Sequence, residues 1–177
     1  VLADGTVISS MNRMIKNNAA YDLKHLFIGS EGTLGIITRL VLRLREAPRS
    51  TQTAMVACTE FADVTRLLKH MDAALGGALS AFEVMWNDFY RLVTTPPAKG
   101  TPPLGQDHPY YVLLESAGGD PARDQAQFEA ALGEAIDAGL VADAAIASSE
   151  AQREALWGLR DDVESVFRLG MPVPFDI

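Results

Sequence analysis

Thr51-Gln52-Thr53-Ala54-Met55-Val56-Ala57-Cys58 reads as a strand, and the order of the elements after it decides the fold. Phe61, Val64, Leu68, Met71 and Leu75 recur at helical spacing, with Thr59 placed to cap the helix and Gly76-Gly77 to stop it. Ala78 to Trp86 reads as a second strand and Asn87 to Val93 as a short helix. Thr94 to Pro109 holds five prolines and reads as a long loop before a third strand, Tyr110 to Glu115. Asp120 caps the next helix, Pro121 suits its first position, Phe128, Ala131, Leu132, Ala135 and Ile136 form its apolar face, and Gly139 ends it. Val141 to Ala147 is a fourth strand, and Ser149-Glu150-Ala151-Gln152 resembles a capping box opening a last helix to about Leu169. Strand, helix, strand, strand, helix, strand is the ferredoxin-like order, so the fold class expected is α+β, an antiparallel sheet with helices on one face, among them those around 60–75 and 121–138.

Working outward, Glu46-Ala47-Pro48-Arg49-Ser50 breaks the pattern and divides the chain into residues 1–47 and 48–177. Before it, Val1 to Ile8 reads as two strand arms around Asp4-Gly5, and Ile36 to Leu44 as a half-buried strand. Val1 is not an initiator methionine, and Phe175-Asp176-Ile177 reads as a strand cut by the end of the chain. The expectation is a piece of a longer protein.

Among 177 residues, 23 acidic against 15 basic side chains give a net charge of −8, which disfavours nucleic acid and anionic membrane surfaces as partners. The best apolar run, Leu34 to Leu44, is too short for a spanning helix and carries Arg39 and Arg43. A single cysteine, Cys58, excludes a disulfide within the chain and suits a reducing compartment; a cytoplasmic location is expected.

Two places could carry chemistry. Gly29-Ser30-Glu31-Gly32-Thr33-Leu34-Gly35 repeats glycine every third residue, which lets backbone N–H groups converge on an anion or a nucleotide edge. It is neither a Walker A loop nor a G-x-G-x-x-G turn, and a tight structural turn explains the glycines equally well. The second place is the last helix, where Leu156, Leu159, Val163 and Phe167 form an apolar stripe with Arg160 on the same face. A buried guanidinium needs an anion. Either Glu164 at i+4 supplies a helix ion pair, worth about 0.3–0.5 kcal/mol if exposed, or a substrate carboxylate takes its planar fork. Gly158 inside the helix suggests that something packs closely there. His25, His70 and His108 lack metal-ligand spacing and read as surface or turn residues, so no metal site is expected. Cys58 reads as core, Glu83 as a strand-edge carboxylate with a hydrogen-bond partner, and Asp161-Asp162 as a solvated helix face.

Lys16 to Thr38, with Lys24-His25-Leu26-Phe27-Ile28-Gly29-Ser30-Glu31-Gly32-Thr33-Leu34-Gly35-Ile36-Ile37 at its heart, resembles the end of the FAD-binding domain of the FAD-linked oxidases. These are the glycolate oxidase, D-lactate dehydrogenase and D-2-hydroxyglutarate dehydrogenase group. From about Pro48 the chain resembles their C-terminal cap domain, through Ser80-Ala81-Phe82-Glu83 and Trp157-Gly158-Leu159-Arg160. The resemblance implies that Glu31, Gly32, Gly35 and Ile37 line FAD, mainly through backbone groups, and that Arg160 binds a substrate carboxylate. Where hydroxyglutarate-type members have a threonine four residues after that arginine, this chain has Glu164, and it has Phe175 where they place a lysine before the aspartate matching Asp176.

The expected function is therefore a part of a flavin-dependent oxidoreductase that oxidises a 2-hydroxy acid of the D-lactate, glycolate or D-2-hydroxyglutarate type, by hydride transfer to FAD. The resemblance places the metal and base residues beyond Ile177, so no catalytic residue is expected within the chain, and the piece alone is expected to be inactive. Its exposed apolar strands point to a homodimer. The alternative is a cofactor-free α+β module that binds a small anion or a protein partner.

Overall fold

The computed structural model describes residues 1–170; the Phe175-Asp176-Ile177 strand and the aspartate at 176 lie outside the described residues. Val1–Glu46 forms one compact unit and the chain from Ala47 onward another.

In the second unit, β1 (Ser50–Cys58), β2 (Leu79–Trp86), β3 (Tyr110–Gly118) and β4 (Asp143–Ile146) build one sheet in the order β2-β3-β1-β4. Every neighbouring pair is antiparallel, with Val56 opposite both Val112 and Ala144. The helices are α1 (Phe61–Leu75), α2 (Asn87–Thr94), α3 (Pro121–Asp137) and α4 (Glu150–Asp161). This is the ferredoxin-like arrangement expected from the order of elements. The second half of β1, Ala54 to Cys58, reads as an unbroken apolar run because it belongs to a central strand buried there on both faces.

On one face, Ala54, Val56, Cys58, Val112 and Leu114 meet Val64, Leu67, Met71 and Leu75 of α1 and Phe128, Ala131, Leu132 and Ala135 of α3. The two long helices thus share a face. The buried stripe of α1 runs through Leu67 rather than Leu68, which is 40% exposed. Stepping three residues from Val64 and then four to Met71 keeps the stripe centred, and Leu68 falls at its margin. Ile136 is likewise a margin residue, nearly half exposed. Residue 59 does not cap α1: the cap position is Glu60, with no side-chain bond. Helix α3 is capped as its sequence suggests, the Asp120 carboxylate accepting from Arg123 N at 3.3 Å with proline at the first position. Gly76 and Gly77 end α1 with positive φ of 58° and 86°.

The opposite face is covered as well. Met55, Ala57, Met85, Tyr111 and Leu113 pack against Tyr90 and Val93 of α2 and Leu156 and Leu159 of α4. Tyr90 and Tyr111 stack with centroids 3.6 Å apart, and their hydroxyls hold the proline-rich loop. Tyr90 Oη donates to Leu104 O and accepts from Leu104 N, both at 3.1 Å, while Tyr111 Oη donates to Gly105 O at 2.5 Å. Helix α4 stops at Asp161 instead of running to Leu169. Asp162 leaves the helical region with ψ 54° and its carboxylate accepts from Ser165 N at 3.2 Å, starting a 3₁₀ segment, Val163–Leu169. The stripe expected to include Val163 and Phe167 is broken there, and both are exposed.

In the first unit, a 3₁₀ turn at Leu23–Leu26 is the regular element among the described residues. The Asp-Gly turn forms, with Gly5 N donating to Leu2 O at 3.0 Å, but its arms and residues 36–44 are not strands. The alternation at Leu40, Leu42 and Leu44 is real, yet a strand exists only where a second backbone pairs with it. Here Val1 and Ile36 exchange two bonds of 2.8 Å through their nitrogens and C=O groups, and Leu2 N donates to Thr6 O at 2.9 Å across the turn, too little for a ladder.

Candidate functional site

In the first unit, Glu31, Gly32, Gly35 and Ile37 line one open concavity of about 390 Å³ together with Phe27 and Ile36. Ser30 N donates to Phe27 O and Thr33 N to Ser30 O, at 3.3 and 2.9 Å, closing two successive turns. Reversing the chain so sharply puts Glu31 at φ 48° and Gly32 at φ 79°, the left-handed region that a non-glycine residue enters at a cost. Gly35 is needed for a different reason. A Cβ there would lie 2.9 Å from Val1 O and 3.4 Å from Phe27 Cε1, so its lack of a side chain lets two backbone segments meet. Backbone groups of the glycine turn lie beside Phe27, Ile36 and Ile37 in this concavity, so polar and apolar surface share one lining.

In the second unit, the sheet face under α4 turns polar at the end of the sheet where β1 begins and β3 finishes. Thr53, Glu83 and Glu115 continue the rows of Met55, Met85 and Leu113, so they point at the helix. Helix α4 is aimed by its own start. Ser149 Oγ accepts from Gln152 N at 3.3 Å, while Gln152 Oε1 accepts from Ser148 N at 2.7 Å, one residue earlier than a standard capping box. Leu156 and Leu159 then seat in the core, and Arg153, Trp157 and Arg160 reach the polar row.

Glu115 takes three of these groups. One of its oxygens accepts from Trp157 Nε1 at 2.7 Å and from Thr53 Oγ1 at 2.9 Å, with Arg153 Nη1 at 3.8 Å. Its side chain is 15% exposed, a carboxylate lowered into the protein and satisfied there. Arg160 meets Glu83: Nε and Nη2 lie 3.1 and 3.0 Å from the same oxygen, and Nη1 donates to Asp161 at 3.1 Å. The Glu83 hydrogen bond first, then that of Asp161, hold the guanidinium above its ordinary range, so it is charged at any working pH. Arg160 is 40% exposed on its side chain, half way between the buried anchor and the helix ion pair expected from spacing. Its partner is not Glu164 but a carboxylate 77 residues away.

Two segments singled out separately in the sequence, Ser80 to Glu83 and Trp157 to Arg160, therefore meet. Glu83 is the paired strand carboxylate expected, while the anchoring role of Glu115 was missed. Its signal was present: a carboxylate at the i+2 position from Leu113 in a strand whose neighbours are apolar. Gly158 corrects another expectation, since a Cβ there would meet nothing within 4 Å. The close approach lies at Gly100, where a Cβ would sit 2.4 Å from both Leu159 Cδ2 and Val93 O.

The histidines stay apart. His70 Nε2 lies 2.8 Å from Ala131 O, His108 rests edge-on against Tyr111 and His25 is near Asp22. Among the described residues, acidic, histidine and cysteine side chains form no group of three able to hold a metal ion. Cys58 is fully buried, and burial pushes its thiol up to about 11. Among the described residues no helix is long and apolar enough to cross a membrane.

A family model described as "FAD linked oxidases, C-terminal domain" matches residues 47–171. The chain is 39% identical over 178 residues to the mitochondrial D-2-hydroxyglutarate dehydrogenase of Bos taurus, covering 100% of this chain and 32% of that protein. It is 34% identical over 164 residues to a putative mitochondrial D-lactate dehydrogenase of Schizosaccharomyces pombe, with 92% and 31% covered. To the D-2-hydroxyglutarate dehydrogenase of Xanthomonas citri pv. viticola it is 33% identical over 177 residues, with 100% and 36% covered. The chain thus spans about a third of the length of these relatives. The cytoplasmic expectation is corrected by the same comparison, because several of the relatives are named mitochondrial. One cysteine separates disulfide-forming compartments from reducing ones at most, and could not assign a location.

Proposed function

The chain belongs to the FAD-linked oxidases, and from that premise we propose that it is the flavin-edge segment and cap domain of an FAD-dependent 2-hydroxy-acid dehydrogenase. In this reading residues 1–47 belong to the flavin domain and residues 48–177 to the cap. Glu31, Gly32, Gly35 and Ile37 hold the cofactor's edge, mainly through backbone groups. FAD, when bound, supplies the acceptor for the hydride that leaves the substrate's α-carbon.

The chain's own contribution is binding and orientation. Arg160 grips a substrate carboxylate, and the observation that supports this is its outer end. Glu83 takes the Nε and Nη2 edge, while Nη1 of this half-exposed guanidinium meets only the exposed Asp161 among the described residues. Fixing the carboxylate fixes the α-carbon, which turns a collision into an oriented approach. D-2-hydroxyglutarate and D-lactate are the substrates named for the relatives, and a 2-hydroxy acid of that type is the substrate class proposed here.

A second copy is the proposed partner. Leu26, Ile28, Ile36, Leu40, Leu42 and Leu44 are all 60% or more exposed in the first unit, an apolar set that a second chain would cover.

The test is anaerobic mixing of the flavin-loaded full-length protein with D-2-hydroxyglutarate or D-lactate. Bleaching of the flavin absorbance is the expected result. A flavin left oxidised by both, and by glycolate, would contradict the assignment.

A further inference from the structure

Resting on the reading of Arg160 as the substrate-carboxylate ligand, we propose that Glu83 is a positioning residue for it. Glu83 holds one edge of the guanidinium so that the other edge faces an incoming 2-hydroxy acid. A guanidinium offers its donors in a rigid plane with more than one bidentate edge. Glu83 takes the Nε and Nη2 edge with a single oxygen, at 3.1 and 3.0 Å. The remaining donors lie at the Nη1 and Nη2 end, where the only partner among the described residues is Asp161, at 3.1 Å on Nη1.

The two acids differ in what they can fix. Glu83 stands on β2, opposite Leu113 of β3, so its carboxylate is tied to the sheet and carries the position of the sheet to the helix. Asp161 follows Arg160 in the chain, rides on the same helix end and is 59% exposed, so it orients nothing beyond that end and yields easily. An arriving carboxylate therefore displaces Asp161 and keeps Glu83. Glu115 supports the arrangement one turn earlier, where its bond to Trp157 fastens α4 to the same sheet face. Two sheet carboxylates thus set the helix, and Glu83 also sets the fork.

The experiment is steady-state kinetics of the flavin-loaded full-length protein with D-2-hydroxyglutarate and D-lactate and an artificial electron acceptor. Glu83→Ala is expected to raise KM about tenfold with kcat within about twofold, the signature of lost binding that the ground and transition states share. Glu83→Gln, whose amide oxygen still accepts from Nε and Nη2, is expected to bring KM back to within about threefold of the parent. A merely structural role would not be rescued through KM alone. Should Glu83→Ala not load flavin, Glu83→Asp, which withdraws the carboxylate by one methylene, carries the same expectation. An unchanged or lowered KM in the alanine or aspartate variant overturns the proposal, because Glu83 would then be idle or a competitor. Arg160→Ala separates the two levels: a raised KM there beside an unmoved KM for the Glu83 variants sinks the positioning role alone. No change for Arg160→Ala sinks the carboxylate reading itself.

Discussion

Trp157 Nε1 donates to Glu115 Oε2 across 2.7 Å, joining α4 to the central strand β3. Glu115 also receives Thr53, so Glu115→Leu would leave two donors without their acceptor, at about 1–3 kcal/mol for each that stays buried. Trp157→Phe removes one donor and leaves the carboxylate its threonine, at about 1 kcal/mol. Urea unfolding midpoints should therefore rank parent, Trp157→Phe, Glu115→Leu. The reverse order would mean that the pair does not hold α4.

Two glycines should respond with opposite sign. Gly100→Ala forces a methyl against Val93 O and Leu159, and overpacking of this kind costs about 1–3 kcal/mol. Gly158→Ala adds a methyl in open space inside a helix, and should gain about 0.5–1 kcal/mol. Thermal melts of the two variants give the answer directly, and a stabilised Gly100→Ala would show that the loop does not pack on α4 as described.

Alkaline pH should weaken the fold in two overlapping windows. Burial pushes Cys58 from 9.0 up to about 11 and Tyr90 from 10.0 up to about 12. Both groups are neutral when protonated, and the folded state holds the proton longer, so the stability they lend is complete below pH 9 and is lost as pH rises. The slope contributed by each group approaches about 1.4 kcal/mol per pH unit within its own window. Cys58→Ala should flatten the part between 9 and 11 and leave the later part. Unfolding midpoints constant to pH 11 would contradict the burial of both groups.

The 177-residue chain by itself should self-associate through residues 26–44. Leaving side chains such as Leu42 and Leu44 in water forgoes about 1.5–3 kcal/mol each. Sedimentation velocity should show a dimer or larger species that Leu42→Glu shifts toward monomer. A clean monomer, with slow amide exchange across residues 26–44, would show that these side chains find cover within the chain.

The order of elements in the second unit was legible because each apolar run carries one clear period and ends at a glycine or a proline. The buried faces were less so. Leu67 and Leu68 are adjacent leucines, both in step with Val64 and Met71, and only packing against the sheet and α3 decides between them. The end of α4 at Asp161 depends on the Asp162 side chain preferring Ser165 to the helix. In the first unit the strand pattern misled, since a ladder needs a partner that alternation cannot supply. At the candidate site Arg160 stood out as a charge within an apolar stripe. Its contact with Glu83 spans 77 residues and two elements, and no local spacing encodes it. Glu115 was readable as a carboxylate in a buried row.

The central claim is that Arg160 holds the substrate's carboxylate in a flavin-dependent 2-hydroxy-acid dehydrogenase. The most direct measurement is the substrate concentration that half-saturates flavin reduction in the full-length protein, compared between the parent and Arg160→Lys. Lysine keeps the charge and loses the fork, and the loss of one charged hydrogen bond should raise that concentration about tenfold or more. Equal half-saturation in the two proteins, with flavin loading intact, would contradict the account.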